Sequence, residues 1–213
     1  MRIRWLGHAC FLITSSSGLR IVTDPYSPGG DLRYAPIRET AEIVTVSHGH
    51  FDHGNVSAIG GKPEIVRGSG MVRGIQFLAI DTFHDNMLGS QRGRNTVFCF
   101  AMDGIKLAHF GDLGHSLSLQ QLEGVGAVDV VMVPVGGNYT IGPEDAWALC
   151  QQLRPKVILP MHYRTAKVNM PIAPVEDFIR GRVGVRKLEG SEIELMRDRL
   201  PQSVEIIVLK PAL

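Results

Sequence analysis

Short runs of apolar and β-branched residues, separated by clusters of glycine, proline, asparagine and aspartate, recur along most of the chain. Such runs are typical of β-strands, because branched and aromatic side chains pack well on a pleated surface. The clusters between them mark the places where the chain turns. The pattern predicts strands at residues 3–6, 10–14, 20–23, 42–47, 64–66, 76–83, 96–102, 105–110, 128–134, 156–160 and 205–209.

Helices are predicted in fewer segments, and the clearest of them is Pro143–Leu153. Pro143 suits the first turn of a helix, and Glu144 and Asp145 lie near the positive end of its dipole. Many strands with few helices predict an α/β protein in which two sheets are covered by helices. The other predicted helices are residues 55–59, 118–122 and 174–180.

Several predicted strands end one or two residues before a histidine or an aspartate. Since the ends of strands are where sheet proteins place ligands and catalytic groups, these side chains are expected to meet at one edge. One histidine after a strand indicates little, but repeated cases indicate a common site. The residues in these positions are Asp24, His48, His84, Asp85, Asp112 and His162.

The densest group of such residues is the stretch from His48 to His53, which reads His-Gly-His-Phe-Asp-His. Neutral imidazole and carboxylate oxygen suit zinc, and also iron, manganese or nickel. His48 and His50 can point to the same side if the chain stays extended, because alternate residues of a strand share a face. Asp52 and His53 would then turn toward a neighbouring position. The spacing predicts a site for two adjacent divalent ions.

Composition limits the classes of function. The chain has 213 residues, of which 44% are hydrophobic and 20% charged, so it can bury a full core. The formal net charge of +1 gives no general attraction to nucleic acid or to an anionic membrane. A small-molecule substrate is therefore expected, with neither nucleic acid nor a membrane as a partner. The sequence does not decide whether the chain forms a homo-oligomer.

The cysteines and the N-terminal segment predict a cytoplasmic protein. Cys10, Cys99 and Cys150 are odd in number, lie far apart and form no CxxC motif, so they predict buried reduced thiols. The first residues lack the apolar core of a signal peptide. No segment approaches the roughly 18 consecutive apolar residues of a membrane span.

The His48–His53 stretch, an HxHxDH motif, resembles the signature of the metallo-β-lactamase superfamily. His84, Asp112 after a glycine, and His162 match that family's later ligands in order and rough spacing. The segments 5–9, Trp-Leu-Gly-His-Ala, and 23–25, Thr-Asp-Pro, resemble a branch of small metal-dependent hydrolases that includes ascorbate-phosphate lactonase-like proteins. The resemblance implies a four-layer αββα sandwich of two mixed β-sheets, formed by residues 1–213 as a single domain.

The resemblance also implies a binuclear metal centre and a hydrolytic reaction. His48, His50 and His84 would bind one ion, Asp52, His53 and His162 would bind the other, and Asp112 would bridge them. Two divalent ions, expected to be zinc with manganese, iron or nickel as alternatives, would hold a hydroxide. That hydroxide would attack an ester, a lactone, an amide or a phosphate ester. Asp52 is expected to be a catalytic residue as well as a metal ligand.

The roles of three further residues stay open at the level of sequence. His109, three residues before Asp112, competes with His84 as the third ligand of the first ion, or orients a ligand from behind. Asp24 is interpreted as a carboxylate that holds a ligand histidine, with a simple Asp-Pro turn as the alternative. His8 follows a glycine and either lines the pocket as a proton donor or is a satisfied polar group.

His115 is a candidate proton donor to the leaving group, because it lies close to Asp112 and the ordinary pKa of histidine suits such work. A surface position is the alternative.

Two loops are candidates for substrate selection. Residues 86–95 carry Arg92 and Arg94, whose guanidinium groups suit carboxylate or phosphate. Residues 136–140 carry Asn138 and Tyr139, which could donate hydrogen bonds to an oxyanion. The loops favour a small anionic substrate. A nuclease or phosphodiesterase acting on nucleic acid is the alternative function, although no basic arm or added domain is visible.

Overall fold

The computed structural model describes residues 1–213, and most of its regular structure is β-strand. The strands are β1 (Arg2–Gly7), β2 (Cys10–Thr14), β3 (Arg20–Thr23), β4 (Ile43–Thr45), β5 (Glu64–Val66), β6 (Gly70–Val72), β7 (Ile75–Phe83), β8 (Arg94–Met102), β9 (Ile105–His109), β10 (Val130–Pro134), β11 (Val157–Met161), β12 (Val185–Lys187), β13 (Glu192–Glu194) and β14 (Glu205–Val208). The helices are α1 (Leu119–Val125), α2 (Pro143–Leu153) and α3 (Val175–Ile179), with 3-10 turns at Val56–Ala58 and Arg197–Arg199.

The strands form two mixed sheets. The six-stranded sheet has the order β13-β1-β2-β3-β4-β5, and the eight-stranded sheet has the order β12-β14-β11-β10-β9-β8-β7-β6. In each sheet, antiparallel hairpins continue into parallel strands, which require longer crossover connections. Helices α1 and α2 pack on β7 and β10 of the eight-stranded sheet. The predicted αββα sandwich of two mixed sheets is confirmed.

The main core lies between the two sheets. Phe11 and Ile13 of β2 and Phe98 and Phe100 of β8 belong to one buried hydrophobic cluster, so the inner faces of the sheets interdigitate. The intervening residue of β2, Leu12, points the other way. The six-stranded sheet is therefore buried on both faces.

The outer face of the six-stranded sheet carries a second, smaller cluster that loops and a 3-10 turn cover. Leu12, Val22 and Val44 pack there against Tyr26 and Tyr34.

Helix α1 begins one residue after Ser118, whose hydroxyl accepts a hydrogen bond from the Gln121 N–H in a capping box. None of the helices is long and apolar enough to cross a membrane.

Most predicted strands are present with small shifts of their ends, and three short strands were not predicted. The segment 42–47 narrows to Ile43–Thr45, and the segment 55–59 forms a 3-10 turn rather than a helix. Strands β6, β12 and β13 escaped prediction because each has three residues and contains a glycine or charged side chains. Their pairing depends on the neighbouring strand rather than on their own pattern.

Candidate metal centre

The candidate site lies where the strands of both sheets end. Asp24 directly follows β3, His84 follows β7 and His162 follows β11, while His48 and Asp112 come a few residues after β4 and β9. The backbone turns sharply at these points, with a φ of 38° at Asp24 and 51° at His162. Non-glycine residues rarely adopt such values, and strained turns of this kind cluster at functional sites.

A first set of ligand-type nitrogens comes from His48, His50 and His84, and these atoms lie within 4.8 Å of one another. The Asp112 carboxylate lies beside them. Its Oδ2 atom is 3.1 Å from His84 Nε2 and 3.9 Å from His48 Nε2. Burial lowers the pKa of His48 to about 3 and lowers that of His50, so both rings are neutral at pH 7 and offer lone pairs.

A second set consists of Asp52, His53 and His162, and His8 joins it. The same Asp112 carboxylate reaches this set, because His53 Nε2 lies 3.1 Å from Oδ1 and His162 Nε2 lies 3.3 Å from Oδ2. Asp112 therefore lies between the two sets.

The charges of the two carboxylates are favoured by their neighbours. Burial alone would raise the pKa of Asp112, but His162 and His53 outweigh it and hold the pKa well below the usual range. For Asp52, burial also acts to raise the pKa, and His53 together with the hydrogen bond from His8 lowers it. Both groups are carboxylates at pH 7, the form in which oxygen binds a cation.

Unsatisfied buried atoms test whether the site suits a metal. His48 Nε2, His53 Nε2 and Asp112 Oδ1 are buried and have no hydrogen-bond partner. His53 Nε2 and Asp112 Oδ1 are nevertheless only 3.1 Å apart, so their orientation rather than their separation prevents a hydrogen bond. An unpaired buried polar atom costs about 1–3 kcal/mol, and a cation between such atoms removes that cost. The donor set therefore fits divalent metal.

Asp24 and Ser47 fix the orientation of two of these histidines. Asp24 Oδ2 accepts a hydrogen bond from His53 Nδ1 at 2.9 Å, and Asp24 also accepts from the amide and the hydroxyl of Ser47. Since that hydroxyl proton goes to Asp24, Ser47 Oγ can accept from His48 Nδ1, which lies at 2.9 Å. His48, whose pKa is lowered by burial, then presents an unprotonated Nε2 to the cluster, and His53 directs its Nε2 toward Asp112 in the same cluster. Of these two residues, Asp24 was named from the sequence as a candidate support for a ligand histidine, whereas Ser47 was not predicted.

His109 has no nitrogen available for a metal. Its Nε2 donates to the carbonyl of Ala9 at 2.8 Å, and its Nδ1 accepts from the Gly111 N–H at 3.3 Å. Of the two candidates for the third ligand of the first ion, the structure brings His84 to His48 and His50. His109 instead supports the turn before Asp112.

The turn that carries Asp112 is tightly enclosed. Asn95 Oδ1 accepts from the Asp112 N–H at 2.9 Å, and its amide nitrogen donates to Phe110 O at 3.0 Å. Gly111 has a φ of 52°, and a Cβ atom there would lie 2.5 Å from Ser47 Cβ. Only glycine fits without displacing these neighbours. Asn95 was not predicted, because an asparagine at the start of a strand has no distinctive sequence signal.

Comparison with known proteins identifies the family. Residues 2–162 match the family described as Beta-lactamase superfamily domain. A solved structure from Thermotoga maritima, assigned as a Zn-dependent hydrolase of the metallo-β-lactamase superfamily, is 37% identical to the chain. It superposes with a TM-score of 0.80 and covers 98% of this chain and 97% of its own. The chain belongs to the metallo-β-lactamase superfamily.

Curated relatives in this superfamily carry the same general activity. A UPF0173 metal-dependent hydrolase from Pelotomaculum thermopropionicum is 31% identical over 196 residues, which cover 78% of this chain and 85% of the relative. A second from Methanoculleus marisnigri is 30% identical over 190 residues, covering 78% and 82%. The chain is thus a metal-dependent hydrolase, which confirms the family and the enzyme class predicted from the HxHxDH motif.

A cavity of about 420 Å³ opens onto the metal centre of this hydrolase. Arg92 contributes its only cationic group, and the guanidinium carbon lies 5.3 Å from the centre of the Tyr139 ring. Arg92 forms no ion pair with any carboxylate, so its charge is free to meet a ligand. Outside the metal-type residues, the lining consists of Asp31, Phe51, Arg92, Tyr139 and Met170.

The loop that presents Arg92 is organised by Asp85. Both carboxylate oxygens of Asp85 accept backbone hydrogen bonds, from Met87 at 2.8 Å, Gly89 at 2.9 Å, Gln91 at 3.0 Å and Arg92 at 2.8 Å. Burial acts to raise the pKa of Asp85, but these N–H groups, Arg92 first, lower it to about 2. Sequence placed Asp85 at a strand end without a role, and the structure makes it the anchor of the loop.

Other predicted site residues do not reach the cavity. Arg94 begins β8 with an exposed side chain, and Asn138 is exposed with a φ of 60° at the tip of its turn. His115 also lies outside the lining, because its Nε2 accepts from the Phe83 N–H at 3.1 Å and its Nδ1 donates to Ser116 O at 2.8 Å. With both nitrogens engaged, His115 holds its loop to β7 and does not reach a leaving group.

Proposed function

We propose that this metal-dependent hydrolase binds two divalent cations, zinc above all, and hydrolyses an ester, lactone, amide or phosphate ester of a small anionic molecule. The position of Asp112 carries the proposal. Its Oδ1 faces His53 at 3.1 Å and its Oδ2 faces His84 at 3.1 Å, so one carboxylate serves both ligand sets. Two cations held close together favour a shared carboxylate between them.

Bound ions supply the Lewis-acid chemistry that makes water nucleophilic near neutral pH and stabilises negative charge on a substrate oxygen. The protein orients the side chains that would bind these ions. Asp24 and Ser47 direct His53 and His48, while Asn95 fixes the backbone of Asp112. An imidazole-rich set suits zinc best, with manganese, iron and nickel as alternatives.

Arg92 supports an anionic substrate. Its guanidinium lines the cavity, rests on Tyr139 and has no carboxylate partner. Such a group binds carboxylate or phosphate with two parallel hydrogen bonds. The cavity volume of about 420 Å³ is in the range of small-molecule sites. A single cationic side chain in the cavity lining, Arg92, and a net charge of +1 favour a small molecule over nucleic acid.

Metal analysis tests the two-ion part of the proposal. Purified protein is expected to hold about two ions per chain, and Asp112→Ala is expected to lose at least one of them together with hydrolysis. Asp145→Ala, which removes an acidic group from the first turn of α2, is the control. A fully active chain that holds one ion, or an Asp112→Ala variant that keeps two, would overturn the proposal.

A further inference from the structure

His8 lies inside the metal centre but is not needed to complete either ligand set. We propose that His8 is a positioning residue, whose Nε2–H donates to Asp52 Oδ2 and so holds the Asp52 carboxylate beside His53, where it would bind the second ion. This inference rests on the proposed function, since it takes Asp52 as a ligand of that ion.

The backbone of His8 is held in place from two sides. Its carbonyl accepts the indole N–H of Trp5 at 2.9 Å and the backbone N–H of His162 at 3.2 Å. His8 has a φ of 53°, which a non-glycine residue keeps only when its surroundings enforce it. The preceding Gly7, with a φ of 139°, packs so closely on Tyr34 that an added Cβ would lie 2.8 Å from the ring. His8 and His162 are thereby fixed relative to each other.

The imidazole of His8 is also enclosed. The residue is 1% exposed, and its ring centre lies 4.1 Å from that of His162 and 5.3 Å from that of His53. It does not line the substrate cavity. The ring therefore packs against both histidines of the second ligand set and contacts Asp52 through its Nε2 atom.

The contact between His8 and Asp52 defines the role. His8 Nε2 lies 3.2 Å from Asp52 Oδ2, and an ionised carboxylate only accepts hydrogen bonds. The proton therefore sits on Nε2, and this nitrogen is engaged with Asp52 rather than with a metal. Asp52 follows an exposed residue, Phe51, in a turn, and no other side-chain donor holds its carboxylate. His8 is thus the group that selects the rotation of Asp52.

A pair of variants of similar size separates hydrogen bonding from packing. His8→Gln keeps an N–H donor near the Nε2 position, whereas His8→Met fills the space without one. Loss of a hydrogen bond behind a metal ligand typically weakens metal affinity 10- to 100-fold. We expect this weakening at one of the two sites in His8→Met, and an affinity near that of the unaltered protein in His8→Gln.

Titration of the metal-free chains with Zn²⁺ against a chromophoric chelator measures both affinities, and the Co²⁺ absorption spectrum reports on the ligand geometry. His115→Gln, a histidine outside the cavity, is the control for a general loss of stability. Equal affinities in His8→Met and the unaltered protein would overturn the inference. So would equal losses in His8→Gln and His8→Met, which would make the ring itself the requirement.

The same titration keeps the two proposals apart. If the unaltered chain binds a single ion, the two-metal proposal fails whatever the His8 variants do. If the unaltered chain binds two ions and the His8 variants bind both equally well, only the positioning role of His8 fails.

Discussion

The metal centre and the rim of the cavity above it are built in opposite ways. Most residues of the centre are buried, His50 being the exposed one, and several are held by others, as Asp24 holds His53 and Asn95 holds Asp112. The rim consists of loop residues, among them Phe51, which is 59% exposed, and Arg92, whose side chain only stacks on a tyrosine. Strand ends therefore carry most of the metal-type residues, whereas loops carry the rest of the cavity lining.

This contrast would let related chains share hydrolysis and bind different substrates. Changes in the rim alter few hydrogen bonds, while a change in the centre leaves buried nitrogen or oxygen atoms without partners. Function at the level of metal-dependent hydrolysis is accordingly shared with relatives near 30% identity. Variants in the two regions are expected to differ in both the size and the kind of their effects.

Removal of a ligand histidine is expected to have the largest effect. His84→Ala should lower metal content and reduce hydrolysis by more than about 100-fold, because even residues behind a ligand contribute 10- to 100-fold. His109→Ala is the comparison, since both nitrogens of His109 bond to the backbone. It should lower the melting temperature while metal stays bound. Metal loss in His109→Ala but not in His84→Ala would reverse the assignment of the third ligand.

Removal of the carboxylate behind the centre should have the next largest effect. Asp24→Ala takes away the acceptor of His53 Nδ1 and of the Ser47 hydroxyl, so both His48 and His53 lose their fixed orientation. Metal affinity is expected to fall about 10- to 100-fold. Ser47→Ala removes only the acceptor of His48 Nδ1, so the metal affinity of this variant should fall less. Equal losses from the two substitutions would show that Asp24 does not support His53 independently.

The strands and the compact cluster of metal-type residues could be predicted from the sequence because both depend on local pattern. Apolar runs such as 76–83 needed no partner to be recognised, and His48 to His53 is a compact motif. His84 and His109 could not be separated, since which of them faces the metal depends on the hydrogen bonds that β9 makes with Ala9 across the core. The family resemblance supplied the order of the candidate ligands. The hydrogen bonds of the structure showed that His109 has no nitrogen free to bind a metal.

Residues that support or surround the centre were harder to predict. Ser47 and Asp85 adjoin ligand histidines, and this adjacency is the signal that could have identified them. Asn95 is brought to Asp112 only by folding. Two arginines in one loop looked equivalent, yet the four amides bound by Asp85 close the loop so that Arg92 lines the cavity and Arg94 does not. Side-chain direction in a loop depends on such closure.

A smaller effect, measured as a loss of stability, is expected at the turn before Asp112. Gly111→Ala would place a Cβ atom 2.5 Å from Ser47 Cβ, at a φ of 52°. Gly126→Ala is the matched control, because Gly126 has a φ of 64° but its nearest contact would be 3.7 Å away. Urea unfolding should show Gly111→Ala to be less stable than the control by about 1–3 kcal/mol, the usual cost of overpacking. Equal stabilities would mean that the turn can relax.

The smallest expected effect belongs to the rim, and it distinguishes binding from chemistry. Arg92→Ala should raise KM for an anionic ester by about tenfold or more, since a hydrogen bond to a charged group contributes about 1.5–3 kcal/mol. Its KM for a neutral ester, its metal content and its melting temperature should stay near those of the unaltered protein. Arg94→Ala removes the same charge two residues away, outside the cavity, and should change none of these quantities. If both substitutions raise KM equally, the charge of the loop rather than the position of Arg92 attracts the substrate, and the rim is less specific than its geometry indicates.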